Sequence, residues 1–366
     1  MKIAYDAKRF FHNTSGLGNY SRDLVRILAK YFPENEYVLL NKNQSERGKN
    51  IMENPNVRFV ETSGGMMSRQ LKMGKDAQKQ DADIFHGLSG ELPLKWDKAP
   101  IKKVVTIHDL IFMRYPQYYS FFDRKIHFWK FKKAADSADR IIAISEQTKQ
   151  DVIRFLNIPE SKIEVIYQGC HQAFKEEQPD KLILQTREKF NLPERFILNV
   201  GTVEERKNLL NIVKAVKDTG IPLVVVGRKT KYFRNILQFI RKNKMENQVH
   251  FLEGVSMDEL AVIYKSADIF VYPSLFEGFG IPVIEALFSK TVVITSNTSC
   301  LPEAGGPDSV YINPGNAADI SAKIQFLWNN ESERQRRADK GFEFVQKFND
   351  EPIAGHLMAL YRKIIS

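Results

Sequence analysis

The chain has 366 residues, which is long enough for two domains of ordinary size, and 43% of them are hydrophobic. It contains no apolar run of about 18 residues, which excludes a membrane-spanning helix, and its N-terminus lacks the features of a signal peptide. Two cysteines are too few for a disulfide framework, so the sequence predicts a cytoplasmic protein. The net charge of +10 suits a phosphate-bearing substrate or an anionic lipid, and no zinc-finger or basic-zipper pattern points to nucleic acid.

Short apolar runs alternate with amphipathic stretches along the first half of the chain. This pattern is typical of a domain with a parallel sheet. The clearest helices are predicted at 20–31 and 146–156. The predicted strands are 2–6, 37–40, 57–60, 84–86, 104–107, 141–144 and 163–166.

A second series of strands and helices follows a polar stretch at 175–181, which indicates a linker. Helices are predicted at 208–217 and 257–265. The predicted strands are 196–200, 223–226, 249–252, 269–272 and 292–295. Two such series predict two Rossmann-like units, with a ligand cleft at the carboxyl ends of their strands.

Two carboxylates, Glu277 and Glu285, stand close together after an apolar run that predicts a buried strand. Between them lie Gly278, Phe279 and Gly280. This spacing predicts Glu277 on a loop at the carboxyl end of the strand and Glu285 in the first turn of the next helix. Loop amides and a helix N-terminus can donate to an anionic or polyhydroxylated ligand, and the carboxylates can accept from its hydroxyls. The segment therefore predicts a sugar-nucleotide site.

The same segment, E-G-F-G-I-P-V-I-E, resembles the E-x7-E motif of the family-4 glycosyltransferases. Further motifs extend the resemblance over nearly the whole chain. The resemblance implies the α/β GT-B fold, in which two Rossmann-like parallel-sheet domains face each other across a cleft. It implies an acceptor-side domain at 1–174, completed by a returning helix at 350–366, and a nucleotide-sugar-binding domain at 182–349.

A predicted strand ends at Gly201 and is followed by a basic pair, Arg206 and Lys207, just before a helix. Cations at a helix start oppose the helix dipole unless an anion binds there, and arginine can contact a phosphate with two hydrogen bonds. The run G-T-V-E-E-R-K-N resembles the diphosphate-binding segment of the family. The resemblance implies that this pair binds the donor diphosphate and stabilises the leaving group, and that the backbone at Val255 contacts the nucleobase.

The first predicted strand leads through a long loop to Gly16 and Gly18. Their spacing does not fit a dinucleotide fingerprint, because Ser21 stands where the third glycine would be. The G-L-G-N-Y segment resembles the first strand-to-helix loop of the family. The resemblance implies that both glycines lie near the donor phosphates or the acceptor.

His108 and Asp109 follow another predicted strand. The family often carries a histidine at this strand end, close to the transferred sugar. We predict that His108 donates a hydrogen bond to a sugar hydroxyl or to the reacting centre. Asp109 is predicted either to orient the other ring nitrogen or to bind the acceptor.

These residues predict a glycosyltransferase that moves a hexose from a nucleoside diphosphate sugar, with GDP-mannose as the first choice, to a saccharide or polyprenyl-linked saccharide. Retention of anomeric configuration, and a donor phosphate oxygen as the base for the acceptor, follow only from the resemblance. Within the family, the sequence most resembles mannosyl- and rhamnosyltransferases of surface polysaccharide synthesis. No cofactor beyond the donor and no metal is expected, because the seven histidines show no pairs at ligand spacing.

Other interpretations remain open from the sequence. A nucleotide-sugar epimerase of the same fold would need no acceptor, and a non-enzymatic basic module would bind nucleic acid in a salt-sensitive way. Residues 121–133 interleave aromatic and basic side chains. They fit a peripheral contact with anionic lipid at the inner face of the membrane and an ordinary amphipathic helix equally well.

Overall fold

The chain folds into two compact units, and the first is assembled from two separate segments. The computed structural model describes residues 1–14, 16–62, 68–96 and 101–366. Unit 1 comprises Met1–Gly169 and Phe348–Ser366, and unit 2 comprises Cys170–Lys347. The division falls slightly before position 174, because the ring of Phe174 packs edge-on against Tyr264, 5.4 Å away within unit 2.

A parallel sheet forms the centre of unit 1. Its strands are β1 (Lys2–Asp6), β2 (Glu36–Asn41), β3 (Val57–Glu61), β4 (Ile84–Gly87), β5 (Lys102–Ile107), β6 (Arg140–Ala143) and β7 (Ile163–Val165). Within the described residues the order is β3-β2-β1-β4-β5-β6-β7. The central strands are buried on both faces, as a parallel sheet covered by helices requires.

Helices cover the sheet of unit 1. They are α1 (Lys8–His12), α2 (Gly16–Tyr31), α3 (Lys49–Met52), α4 (Ser68–Leu71), α5 (Met73–Gln78), α6 (Ile111–Arg114), α7 (Phe121–Ser137), α8 (Glu146–Leu156) and α17 (Asp350–Ile365). Helix α17 follows unit 2 in the chain, yet it packs against α2. Its Tyr361 hydroxyl lies 2.6 Å from Nδ1 of the buried His86, which ties this helix into the core of unit 1.

Unit 2 repeats the same plan with its own core. Its strands are β8 (Ile197–Val200), β9 (Leu223–Val226), β10 (Val249–Leu252), β11 (Ile269–Tyr272), β12 (Val292–Ser296) and β13 (Val310–Ile312). Among the described residues these strands are parallel, in the order β10-β9-β8-β11-β12-β13. Its helices are α9 (Asp180–Lys189), α10 (Leu209–Val216), α11 (Phe233–Lys242), α12 (Met257–Ser266), α13 (Ile281–Phe288), α14 (Leu301–Gly305), α15 (Ala317–Asn329) and α16 (Glu331–Val345).

The prediction of two Rossmann-like parallel-sheet domains is confirmed. The predicted strands are present, with ends that differ by at most two residues. The sequence did not predict β13, an edge strand of three residues that is too short to give a recognisable apolar run. It also predicted a loop where α1 stands, because five residues are too few to show helical periodicity.

Two glycines meet where β8 and β9 end. A Cβ atom at Gly227 would lie 1.9 Å from the carbonyl oxygen of Gly201, so no side chain fits there. We expect Gly227→Ala to destabilise the protein by about 1–3 kcal/mol through overpacking. Gly355 lies in α17, and a Cβ atom there would meet nothing within 4 Å, so Gly355→Ala should stabilise by about 0.5–1 kcal/mol. Urea denaturation would measure the stability of both variants. Equal midpoints for Gly227→Ala and Gly355→Ala would contradict the predicted difference in packing at the two positions.

Candidate active site

The loops after β8 and β11 meet at the carboxyl edge of the sheet of unit 2. These two strands are neighbours, so their ends lie side by side. The first loop contains a 3-10 turn, Glu205–Lys207, and the second contains Glu277. The backbone N–H of Leu275 donates to the carbonyl oxygen of Arg206 at 2.9 Å, which joins the two loops directly. This is the edge at which open α/β sheets bind ligands.

The carboxylate of Glu277 is the centre of this edge. Its Oε1 lies 2.6 Å from Lys207 Nζ and 3.1 Å from an Arg206 guanidinium nitrogen. The Tyr272 hydroxyl donates to the same oxygen at 3.0 Å, and Ser274 Oγ donates to it as well. Burial by itself would raise the pKa of Glu277, but the adjacent cations outweigh it and lower the pKa to about 2. Glu277 is therefore an ionised hydrogen-bond acceptor at neutral pH.

The basic pair is turned toward the acidic loop. The side chains of Arg206 and Lys207 are only 15% and 17% exposed. Arg206 also pairs with Glu204 at 2.6 Å and donates to the carbonyl oxygen of Phe276. Two cations held at one sheet edge can neutralise a diphosphate, and there they share a single buried carboxylate.

Glu285 lies just beyond the first turn of its helix, in which the sequence placed it. Helix α13 begins at Ile281, so Glu285 is its fifth residue and belongs to the second turn. The Tyr264 hydroxyl donates to Glu285 Oε2 at 2.9 Å. Burial raises the pKa of Glu285 to about 7, although the hydrogen bond from Tyr264 acts in the lowering direction. Near neutral pH this carboxyl group can both donate to and accept from hydroxyl groups.

The loop between the two glutamates is fixed from behind by residues of the loop that follows β12. The thiol of Cys300 donates to the carbonyl oxygens of Glu277 and Phe279 at 3.1 and 3.0 Å. The Glu277 N–H donates to Ser299 Oγ at 3.1 Å. Phe279 is only 2% exposed, so its side chain packs in the interior of unit 2 and is not open to a ligand.

Gly280 and Gly201, at the two ends of the site, are glycines for different reasons. Gly280 caps α13 with φ of +111°, a conformation that favours glycine, and Gly278 lies beside the buried Phe279. A Cβ atom at Gly201 would meet nothing closer than 3.8 Å, which leaves the backbone at the end of β8 open to a ligand. Val255 is half-buried after β10, two strands away from β8 along the same edge.

The structure places His108 at the carboxyl end of β5 in unit 1. Its Nε2 lies 2.9 Å from the carbonyl oxygen of Leu88, and because a carbonyl only accepts, Nε2 carries the proton. Burial lowers the pKa of His108 to about 4. The neutral ring therefore presents Nδ1 as an acceptor, which is opposite in sense to the predicted donor role.

Asp109 is engaged in its own turn. Its Oδ1 accepts a hydrogen bond from the N–H of Ile111 at 3.1 Å, at the start of α6.

The ring of Tyr20 packs edge-on against His108 with centroids 4.6 Å apart, and the Tyr20 hydroxyl lies 3.0 Å from Thr106 Oγ1. The Leu88 carbonyl and Tyr20 thus fix the orientation of the histidine ring.

Gly16 and Gly18 lie at the start of α2, and their roles differ. A Cβ atom at Gly18 would lie 2.1 Å from the carbonyl oxygen of Asn13, and the Gly18 N–H donates to Asn13 Oδ1 at 3.2 Å. Gly18 is therefore required by the packing of its own loop. A Cβ atom at Gly16 would meet no atom within 4 Å, so its backbone can be approached.

Unit 1 also holds a charged cluster that no sequence pattern indicated. Arg69 bridges Asp6 and Glu91 at 2.6 and 2.9 Å, and Lys130 approaches Glu91 at 3.4 Å. Asp6 ends β1 and Glu91 follows β4, so the cluster lies at the carboxyl edge of this sheet. Its members are far apart in sequence, and no local signal marks them.

The protonation state of His108 is directly testable. We expect the imidazole to remain neutral down to a pH of about 4, because burial disfavours the charged form. Histidine NMR titration, with the resonance assigned by its loss in His108→Gln, would check this. A midpoint near the ordinary value of about 6.5 would contradict the burial argument.

The described ranges hold neither a membrane-spanning helix nor a cluster of metal ligands. None of the helices there combines the length and apolarity needed to cross a bilayer. No group of three or more His, Cys, Asp and Glu side chains in that part of the chain is arranged to hold a metal ion. Independence of metal stays a prediction.

The fold and the site define a glycosyltransferase of the GT-B class. Residues 14–173 match the family described as "Glycosyltransferase Family 4", and residues 180–344 match "Glycosyl transferases group 1". These two matches cover every strand of both sheets except β1. The chain belongs to the family-4 glycosyltransferases, and this membership does not favour the epimerase or the non-enzymatic module.

Named relatives and solved structures are similar at modest identity. O-antigen chain mannosyltransferase B of Escherichia coli is 25% identical over 99% of this chain and 100% of its own length. O-antigen chain mannosyltransferase RfbU of Salmonella typhimurium is 30% identical over a segment that covers 61% of this chain and 60% of that relative. The crystal structure of Anabaena HepE in complex with UDP-glucose superposes with a TM-score of 0.77, at 15% identity, over 99% of this chain and 100% of that one. At that identity the likeness concerns the fold alone.

Proposed function

We propose that this glycosyltransferase moves a mannosyl group from a nucleoside diphosphate sugar, with GDP-mannose as the first choice, to a saccharide or lipid-linked saccharide acceptor. The observation that carries the proposal is the Glu277 carboxylate held between Arg206 and Lys207 at the carboxyl edge of β8 and β11. The names of two relatives, both O-antigen chain mannosyltransferases, support mannose as the sugar.

The basic pair would bind the donor diphosphate. In the structure both cations share one carboxylate oxygen, so an arriving diphosphate would take over part of that pairing. When the bond between the anomeric carbon and the diphosphate breaks, negative charge grows on the leaving group. Arg206 and Lys207 would stabilise that charge more strongly in the transition state than in the bound donor, which is what lowers the barrier.

Glu277 would contact the transferred sugar. With its pKa lowered to about 2 it stays ionised, so it accepts hydrogen bonds from sugar hydroxyls and does not serve as a proton donor at neutral pH. Its negative charge also favours the positive charge that develops at the anomeric carbon. Tyr272 and Ser274 hold the carboxylate in place by donating to the same oxygen.

Glu285 would take the ribose hydroxyls of the donor. Its pKa of about 7 gives a carboxyl group that is close to half protonated at neutral pH and can pair with a vicinal diol in either state. The backbone at Gly201, Val255, Gly278, Phe279 and Gly280 would complete the donor contacts in unit 2.

The acceptor side is assigned to unit 1, with His108 as an acceptor of a hydrogen bond from a sugar hydroxyl through Nδ1. Asp109, Gly16 and Gly18 remain candidates there. The acceptor hydroxyl oxygen would bond to the anomeric carbon and pass its proton to a donor phosphate oxygen, with retention of configuration. No cofactor beyond the donor takes part in this scheme.

A two-stage assay tests the proposal. First, thermal melting with GDP-mannose, UDP-glucose and other nucleotide sugars identifies the donor that stabilises the protein. Second, release of the nucleotide is measured with that donor and saccharide acceptors, and NMR of the product gives the anomeric configuration. Stabilisation by GDP-mannose and a retained α-mannoside would support the proposal. Stabilisation by another nucleotide sugar alone would reject GDP-mannose as the donor. A product with inverted anomeric configuration would reject the retaining mechanism.

A further inference from the structure

Helix α7 carries apolar side chains on two opposite faces. The inner face packs against the core of unit 1 through Phe128, Phe131, Ala134 and Ala135. The outer face presents Phe122, Ile126 and Trp129, which are 75%, 53% and 48% exposed. These three residues follow a spacing of four and then three positions, so they form one stripe along the helix.

The outer stripe is part of a larger exposed apolar surface. Phe121 precedes it and is 58% exposed. Tyr118 and Tyr119, in the turn just before the helix, are 37% and 39% exposed. Single exposed apolar residues are ordinary, but a contiguous group on one helix face marks a contact with a partner or a membrane.

Two lysines flank the stripe on the same face. Lys125 lies three positions after Phe122, and Lys133 lies four positions after Trp129; both side chains are exposed. Neither has an ion pair within 4.0 Å among the described residues. By contrast, Lys132 of the same helix pairs with Asp136 at 2.6 Å. Lys125 Nζ lies 4.5 Å from the centroid of the Phe121 ring, a contact that leaves its charge without an anionic partner, so both flanking lysines can meet an external anion.

We propose that the outer face of α7 docks on a bilayer that contains anionic lipid, with the helix axis parallel to the membrane plane. Aromatic and aliphatic side chains on such a helix enter the boundary between headgroups and acyl chains. Lys125 and Lys133 extend from the edges of the stripe and meet the lipid phosphates. This contact does not depend on which sugar or acceptor the enzyme uses.

A second copy of the chain fits this face less well than a membrane does. A two-fold contact through the stripe would bring Lys125 and Lys133 of both copies together in a desolvated interface, where like charges repel. A single helix face also falls short of the roughly 800 Å² per partner that stable dimers bury. An anionic bilayer satisfies the apolar stripe and both lysines together.

Vesicle sedimentation with the full chain tests the proposal. Vesicles of phosphatidylcholine alone are compared with an equimolar mixture of phosphatidylcholine and phosphatidylglycerol. The wild type should bind the mixed vesicles and bind neutral vesicles much less. Phe122→Ser with Trp129→Ser should weaken binding by at least about ten-fold, since both apolar anchors are lost. Lys125→Glu with Lys133→Glu should weaken it by about five-fold or more per lysine.

Matched controls lie in unit 2. Leu184 on α9 is 63% exposed, so Leu184→Ser removes an equally exposed apolar side chain from another surface. Lys323→Glu with Lys340→Glu makes the same charge change on two exposed lysines of α15 and α16. Both controls should bind as the wild type does.

Three outcomes would overturn the proposal. They are equal binding to neutral and anionic vesicles, α7 variants that bind as tightly as the controls, and a dimer in light scattering that Phe122→Ser dissociates. The last outcome would assign the face to a second copy. The lysine variant keeps the test independent of any folding defect in the serine variant, and thermal melting of each variant monitors that defect.

Discussion

Glu277→Gln is expected to slow sugar transfer by about 30- to 1,000-fold, which corresponds to about 2–4 kcal/mol in the barrier. Glutamine keeps the shape of the side chain but removes the charge that Arg206 and Lys207 share. It also replaces one accepting oxygen with a donating amide, which weakens hydrogen bonding from sugar hydroxyls, and it removes the electrostatic support of the anomeric carbon. Initial rates at saturating donor would give the change in kcat, and calorimetry would give donor affinity separately.

The double variant Arg206→Ala with Lys207→Ala should slow sugar transfer to a similar extent, because it removes the two cations that pair with Glu277. Glu205→Gln is the matched control, because Glu205 lies in the same 3-10 turn with an exposed side chain. Rates like those of the wild type in the Glu277 and Arg206/Lys207 variants would reject the assigned site. A loss of the same size in Glu205→Gln would show that the effect comes from disturbing the turn.

Glu285→Gln is expected to change how stability depends on pH. The pKa of Glu285 is about 7 in the folded protein and near 4.5 when unfolded, so between these values the folded state holds more protons. Stability of the wild type therefore falls as pH rises from about 4.5 to 7, by on the order of 3 kcal/mol from this group alone. Glutamine cannot ionise, so the variant lacks this decline and gains stability relative to the wild type at pH 8.

Urea denaturation of both chains at pH 5 and pH 8 measures the effect. The difference between the two chains cancels the contributions of His86 and His108, whose depressed pKa values make stability rise with pH in the same window. Tyr264→Phe serves as a directional control, because it removes a hydrogen bond that lowers the pKa of Glu285 and should steepen the decline. Parallel pH profiles for the wild type and Glu285→Gln would contradict the raised pKa.

Much of the fold could be predicted because parallel strands are buried on both faces and read as continuous apolar runs. Strands such as β9, β10 and β11 have the predicted bounds. β13 was not predicted, because three residues at a sheet edge give no such run. The short helix α1 escaped because its pattern covers little more than one turn.

The site could be predicted only in part. Glu277, Arg206 and Lys207 lie on loops next to strand ends, and strand order brings those loops together. Tyr272 and Tyr264, which donate to Glu277 and Glu285, carry no local signal, because they read as ordinary apolar positions until the chain is folded. The donor sense predicted for His108 was reversed by the Leu88 carbonyl, a backbone group on a different loop that no side-chain pattern reveals.

The split construction of unit 1 has a consequence for synthesis of the protein. Unit 2 is one continuous segment, so it can fold as soon as it has left the ribosome. Unit 1 must wait, because α17 supplies Tyr361 to its core only after all of unit 2 has been translated. During that interval the nascent chain exposes the apolar surface that α17 will cover, and transiently exposed apolar surface of this kind favours aggregation.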